Sequence, residues 1–206
     1  KSINYLLKKF NIKFKDLDYI VYGIINSIIP DTQTYLKINE KLKKISRKNE
    51  NKFRERIDSE IKWNKKHLDE LFKYAKKNDF SNKLVLFDHH ESHAAGAYFT
   101  SPFKDTMIFT FDGKGGFKSS SIYEAKNNKF RRIDFLTTFD SLGYFYGNIT
   151  RALGFKSERH EGKVTGLAAY GKKTSLISYF ESFIKIKNNL IDINFGKNYL
   201  PWFLNK

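Results

Sequence analysis

The sequence contains no cysteine, only one methionine and only three prolines in 206 residues. The absence of cysteine excludes a disulfide framework and any thiolate chemistry. No apolar run approaches the ~18 residues that a membrane-spanning helix requires, and no signal peptide opens the chain. We therefore expect a soluble, cytoplasmic protein with no membrane association.

A chain of this length is large enough for one sizeable domain, which we assign to residues 1–206. The chain begins at Lys1 within a helical pattern, and the single methionine is Met107. These two features predict a fragment or a processed form of a longer protein.

Positive charge is concentrated in one segment of the chain. The formal net charge is +16, and residues 37–77 carry 15 lysines and arginines against 7 acidic residues. Apolar residues recur there every three or four positions, which predicts one or two long amphipathic helices. A nucleic-acid-binding arm that includes Trp63 is one interpretation, but a solvated helix exterior is the one we favour.

The rest of the chain alternates between helical and strand patterns, which predicts an α/β fold. The segment from Leu84 to Gly116 organises the pattern, with a buried central strand at 107–111 that ends in Asp112 and a flexible, glycine-rich loop. We predict helices at 2–10, 89–99, 142–153 and 176–184, a small-residue segment at 163–169, and strands at 19–22, 84–87, 107–111, 119–125, 130–137 and 190–193. Ser141 would cap the third of these helices, and Asn127 and Asn128 would form a two-residue hairpin turn. The small residues 94–97 predict that another element approaches the second helix closely.

Two histidines and an aspartate form a candidate metal site. His89 and His93 are four residues apart, so on a helix both imidazoles lie on one face. Asp112 ends the next strand and would supply a third ligand, a set that suits iron(II), zinc or manganese. Surface or capping histidines are the alternative interpretation. His90 points elsewhere and is better suited to a supporting role.

Two further segments carry candidate anion-binding chemistry. The glycines of Asp112–Gly116 would let backbone N–H groups approach a phosphate while Lys114 adds charge, although a glycine-rich turn is the simpler interpretation. In the Arg159–Lys163 loop, Lys163 would bind a phosphate or carboxylate and Glu161 would orient it or accept a proton. A solvated loop of salt bridges is the alternative there.

Several motifs in this order resemble a known family. These are HHESHAAGAYFTSPF, FTFDGKGGFKSSSIY, SLGYFYGNITRALGF and EGKVTGLAAYG. Together they resemble the N-terminal catalytic domain of O-carbamoyltransferases of the nodulation-factor and antibiotic-tailoring type, which are relatives of the universal tRNA threonylcarbamoyl-transfer proteins. The similarity is good over residues 84–173 and extends to residues 1–23. It is poor over the basic segment and over residues 174–206.

The resemblance implies both a fold and a reaction. The fold would be part of an actin-like ATPase domain of the ribonuclease-H-like type, with residues 37–77 as a helical basic insertion. The reaction would move a carbamoyl group from carbamoyl phosphate, through carbamoyl-adenylate made with ATP, to a hydroxyl of a sugar or other small-molecule acceptor. Direct tRNA modification is a weaker alternative, as is a nucleic-acid-binding module with a structural His/Asp set.

The resemblance also implies roles for individual residues. His89, His93 and Asp112 match the family's metal-binding positions, where an iron(II)-like ion holds the nucleotide phosphates. The phosphate loop would consist of Gly113, Gly115 and Gly116, with Asp112 and Lys114 beside them. Glu161 and Lys163 fall in a motif near the bound ligand. A base is needed for the acceptor hydroxyl, and the sequence does not choose between His90 and His160.

Some positions depart from the family pattern. Gly116 stands where an acidic residue is common, His160 and Gly162 flank Glu161 in place of glycine and an aromatic residue, and Thr165 and Ala169 replace methionine and proline. The departures affect the expected acceptor contacts and leave the metal set intact. The family also has a strand pair before Lys1, and a further aspartate ligand and an adenylate-forming domain after Lys206. We therefore expect the 206-residue chain to be inactive alone.

Overall fold

A computed structural model of the chain describes residues 2–25, 27–187 and 190–193. Within these ranges the architecture is mixed α/β, as predicted. The helices are α1 (Ser2–Lys9), α2 (Thr32–Leu42), α3 (Arg47–Lys77), α4 (His89–Phe99), α5 (Leu142–Ala152), α6 (Glu161–Leu167) and α7 (Leu176–Glu181). The strands are β1 (Ile20–Tyr22), β2 (Leu84–Leu86), β3 (Thr106–Gly115), β4 (Lys118–Lys126), β5 (Lys129–Thr137), β6 (Ile184–Lys187) and β7 (Leu190–Ile193). None of these helices is long and apolar enough to cross a membrane.

The strands form three small sheets. β1 and β2 pair in parallel, with Ile20 opposite Leu84. The strands β3, β4 and β5 form an antiparallel sheet in that order, and β6 pairs with β7. The parallel pair requires a long crossover connection, which α2 and α3 supply. The hairpin of β4 and β5 turns at Asn127 and Asn128, both with positive φ, which confirms the predicted two-residue turn.

The β3 prediction was wrong in two respects. We predicted a buried central strand over 107–111 with a flexible loop after it, but β3 is the edge strand of its described sheet and continues to Gly115. Its apolar residues alternate between two faces, so Ile108 is buried while Phe109 and Phe111 are exposed. The pairing register shifts between Phe111 and Gly115, so the glycine-rich segment is an irregular strand end.

Two clusters of side chains form the described core. In one, Ala94 and Tyr98 of α4 pack on the sheet residues Ile108, Tyr123 and Ala125. In the other, α2 and α3 contribute Ile38, Leu42 and Phe53, which pack with Phe117 and Phe139. The prediction of one or two long amphipathic helices is therefore confirmed by α3, which has 31 residues and follows the 11-residue α2. The apolar stripe of these helices lies against the end of the sheet that carries the glycine-rich segment.

Smaller predictions had mixed outcomes. Helix α4 has the predicted bounds, but the expected close approach along its small residues holds for Ala94 and fails at Gly96, which has open space around it. Helix α6 begins at Glu161, two residues before the segment we predicted. The helix predicted to end at residue 184 ends at Glu181, and β6 follows it unpredicted, while β7 is confirmed. The segment 194–206 lies outside the described residues.

Candidate metal and phosphate site

The start of α4 sets the geometry of the candidate metal site. Asp88 follows β2 and caps the helix, because its carboxylate accepts hydrogen bonds from the backbone N–H groups of His90 at 2.9 Å and Glu91 at 3.2 Å. A helix that begins at this point carries His89 and His93 one turn apart on one face. That face is turned toward the end of β3.

The structure brings the three predicted metal ligands together. The Nε2 atom of His89 lies 2.7 Å from the Oδ2 atom of Asp112 and 3.1 Å from the Nε2 atom of His93. The third separation, from His93 Nε2 to Asp112 Oδ2, is 3.9 Å. Ligand atoms bound at about 2.1 Å to one ion are separated by about 3 to 3.4 Å. Small side-chain adjustments therefore suffice to hold a cation between them.

The electrostatics of the three residues suit a cation. The hydrogen bond from His89 lowers the pKa of the Asp112 carboxyl, which also accepts the Gly113 N–H at 2.6 Å. The same contact with Asp112 raises the pKa of His89, against the effect of burial. A proton on His89 thus occupies the place that a metal ion would take. Metal binding would release that proton, so affinity should rise with pH.

Glycine at position 115 permits this arrangement. A Cβ atom added to Gly115 would lie 2.8 Å from the Cβ of His89 and closer still to its imidazole ring. A side chain at this position would push His89 away from Asp112. The glycine therefore serves the close packing of β3 against α4, a role that the sequence interpretation of a flexible phosphate loop had missed.

Lys114 is held by the long helix α3. Its ammonium group donates to both carboxylate oxygens of Glu60, at 2.7 and 3.0 Å, and lies 5.2 Å from the centre of the Trp63 ring. Sequence reasoning did not find Glu60. A signal was present, because Glu60 lies on the apolar stripe of α3 between Phe53 and Leu68, where a carboxylate needs a partner.

His90 is placed differently from the metal ligands. It is 0% exposed, and its Nδ1 atom lies 2.9 Å from the Thr110 hydroxyl. Burial lowers the pKa of its imidazole. The position agrees with a supporting role beneath the site and leaves no face of the ring open to an acceptor molecule.

Helix α5 contacts both the glycine-rich segment and Glu161. A Cβ atom added to Gly113 would lie 3.4 Å from the Tyr144 ring. A Cβ atom added to Gly147, three residues further along α5, would lie 3.6 Å from the Glu161 carboxylate. Burial, together with the Glu60 carboxylate, raises the pKa of Tyr144. Glu161 also accepts the backbone N–H of Glu158 at 2.6 Å.

Of the other two predicted residues of that segment, His160 is partly exposed and Lys163 is exposed. His160 precedes α6, and its Nδ1 atom accepts the backbone N–H of Lys156 at 3.1 Å. Lys163 is exposed on the first turn of the helix. The structure thus brings Glu161 toward the glycine-rich segment through α5, and neither His160 nor Lys163 has a described contact with the three metal-ligand residues.

Comparison with known sequences assigns the chain to a family. Residues 1–205 match the sequence model of the family described as Carbamoyltransferase N-terminus. The chain belongs to this family. The match confirms the resemblance found in the sequence motifs, and it extends over the basic segment that those motifs did not cover.

Individual relatives of this carbamoyltransferase domain are longer proteins. An uncharacterized protein of Synechocystis is 28% identical over 197 residues, which cover 91% of the chain and 30% of that protein. One of Methanocaldococcus jannaschii is 38% identical over 112 residues, or 47% of the chain and 18% of that protein. Nodulation protein NolNO of Sinorhizobium fredii is 32% identical over 108 residues, or 52% and 16%. The chain thus spans less than a third of the length of these relatives.

An ion network around buried Lys118 supports the first turn of α4 in this carbamoyltransferase domain. The ammonium group of Lys118 lies 2.9 Å from Asp31 and 3.1 Å from Asp88, and Arg132 approaches Asp88 at 3.6 Å. Burial raises the pKa of the Asp88 carboxyl, but Lys118, Arg132 and the Glu91 N–H together outweigh burial and lower this pKa. Sequence analysis missed the network because its members are far apart along the chain. It holds the residue that caps α4 in place.

Proposed function

We propose that this chain forms the metal- and nucleotide-phosphate-binding part of an ATP-dependent carbamoyltransferase. The reaction would transfer a carbamoyl group from carbamoyl phosphate, through carbamoyl-adenylate, to a hydroxyl of a sugar or other small-molecule acceptor. The observation that carries the proposal is the convergence of His89, His93 and Asp112 in a chain of the carbamoyltransferase family. The actin-like ATPase fold and a cytoplasmic location remain predictions within this proposal.

The three side chains fit a divalent cation. Two imidazole nitrogens and one carboxylate oxygen lie within 4.8 Å of one another. Such a set suits iron(II), zinc or manganese and leaves positions open for substrate oxygens. The family resemblance favours iron(II). When bound, the ion would supply positive charge that stabilises the nucleotide phosphates.

The surrounding residues would bind and orient the substrates. Backbone N–H groups of the glycine-rich segment after Gly113, whose own N–H donates to Asp112, and the ammonium group of Lys114 would face phosphate oxygens, as preorganised donors to developing charge. Glu161 and Lys163 would lie beside the bound ligand. A base must accept the proton of the acceptor hydroxyl. His160 is favoured for this role over His90, because His160 is partly exposed whereas His90 is buried. An adenylate-forming domain outside this chain would complete the reaction, so the chain alone should not turn over.

Metal and nucleotide binding test this proposal directly. We would titrate the purified chain anaerobically with iron(II) and with cobalt(II) as a spectroscopic substitute, followed by ATP, using calorimetry. Wild type should bind one ion per chain, and His93→Ala should lose at least about tenfold in metal affinity and lose ATP binding with it. His67→Ala removes a histidine of α3 and is the matched control for metal binding, which should equal that of wild type.

Two results would contradict the proposal. Wild-type protein that binds no metal would remove the role of the three ligands, and unchanged metal affinity in His93→Ala would show that the ion sits elsewhere. Binding of RNA that collapses as salt rises and depends on the lysines of residues 37–77 would instead support the nucleic-acid alternative.

A further inference from the structure

The contact between α3 and Lys114 joins the basic helical insertion to the candidate phosphate site. The Glu60 side chain is only 5% exposed, and it accepts hydrogen bonds from Lys114 and from Arg56, one turn earlier in α3. Two cationic side chains thus share one carboxylate. Together, Lys114, Arg56 and Glu60 carry a net charge of +1. Lys114 lies two residues after Asp112 in the sequence.

This contact restrains the Lys114 ammonium group. Two of its three N–H donors are directed to the two Glu60 oxygens, and the Trp63 ring lies against it at 5.2 Å from the centroid. The side chain is still 31% exposed, and no described residue accepts a hydrogen bond from its third donor. A lysine normally loses considerable side-chain freedom when it binds a phosphate, and here that freedom is already restricted.

Attachment of α3 to the sheet does not require this buried carboxylate. Phe53 of α3 already packs with Phe117 and Phe139, and Ile57 and Ile61 lie against the same cluster. Burying a carboxylate among cations carries a desolvation cost that apolar packing avoids. The position of the pair beside the glycine-rich segment therefore points to a role in ligand binding.

We propose that Glu60 is a positioning residue for nucleotide binding, which holds Lys114 so that its free N–H faces the phosphates of ATP. The inference rests on the proposed function, because it requires ATP phosphates at this site. It assigns part of the basic insertion to the active centre, whereas sequence analysis treated that insertion as a variable helical exterior or a nucleic-acid arm.

The substitution Glu60→Gln separates positioning from simple charge. Removing a negative charge near the site should strengthen ATP binding if only charge matters. If Glu60 positions Lys114, the variant should instead bind ATP about tenfold more weakly, measured by calorimetry on the cobalt-loaded chain. Glu50→Gln, which disrupts the Glu50–Arg54 pair on the same helix, is the matched control and should leave ATP affinity unchanged.

A double-mutant cycle and the metal affinity complete the test. Lys114→Ala should weaken ATP binding, and adding Glu60→Gln to it should cause no further loss, because Glu60 acts through Lys114. Cobalt affinity of Glu60→Gln should equal that of wild type, which separates positioning from general unfolding. Equal or tighter ATP binding by a cobalt-binding Glu60→Gln chain, or additive losses in the cycle, would overturn this inference alone. A wild-type chain that binds neither cobalt nor ATP would overturn the proposed function as well.

Discussion

The two segments assigned to the candidate site are built in opposite ways. Around the metal ligands, α4 is packed on the sheet, Ala94 and His90 are fully buried, and Gly115 of β3 touches His89. Helix α6, which carries Glu161 and Lys163, has no buried residue, and open space surrounds Gly162 and Gly166. Both segments match family motifs, yet only the first packs on a sheet, where Gly115 fixes His89 while His93 remains exposed.

This difference in packing separates the segment that holds His89 in place from the exposed segment of α6. A metal site needs its donors held within about 0.5 Å of their working positions, and packed helices and strands provide that precision. Exposed α6 has fewer contacts among the described residues, so substitutions there should affect stability little. If this comparison is correct, equivalent substitutions in the two segments should differ several-fold in cost.

The largest effect should come from Asp88. Replacing it with alanine removes both the N-cap of α4 and a partner of buried Lys118, and breaking a buried pair costs about 3–5 kcal/mol. Urea denaturation would measure the loss. Glu161→Ala, which removes an acceptor of one exposed N–H, should cost no more than about 1 kcal/mol. Equal costs for the two variants would refute the contrast between the segments.

A second test adds one methyl group where β3 packs against α4. Gly115→Ala should displace His89, lowering the free energy of unfolding by about 1–3 kcal/mol and cobalt affinity by about 10- to 100-fold. Calorimetric titration and thermal unfolding would measure these effects. Gly96→Ala, in open space on α4, is the control and should keep cobalt affinity. Wild-type cobalt binding by Gly115→Ala would mean that the contact with His89 does not matter.

The smallest effect should come from a glycine-to-alanine substitution in the exposed helix α6. Gly166 lies in α6 with no atom within 4 Å of an added Cβ. Gly166→Ala should therefore raise the free energy of unfolding by about 0.5–1 kcal/mol, through helix propensity alone. A thermal melt should show a small increase in Tm. A decrease would indicate that α6 packs more closely than described.

Local sequence patterns predicted much of the fold because their causes are local. Three predictions that depend on a few neighbouring residues are confirmed. These are the helical spacing of His89 and His93, the helix cap at Ser141, and the turn at Asn127 and Asn128. The edge position of β3 was not predictable in this way. It depends on which strands pair with it, and an apolar run by itself does not indicate whether both of its faces are covered.

By itself the sequence determined the family, the α/β alternation, the long amphipathic helix α3 and the three candidate metal ligands. These follow from periodicity and motifs that a single chain segment carries. Only the tertiary structure decided that Gly115 must be small for His89 to meet Asp112, that Glu60 holds Lys114, and that Lys118 lies between Asp31 and Asp88. Each of these contacts joins residues 23 or more positions apart, so local sequence spacing does not predict them.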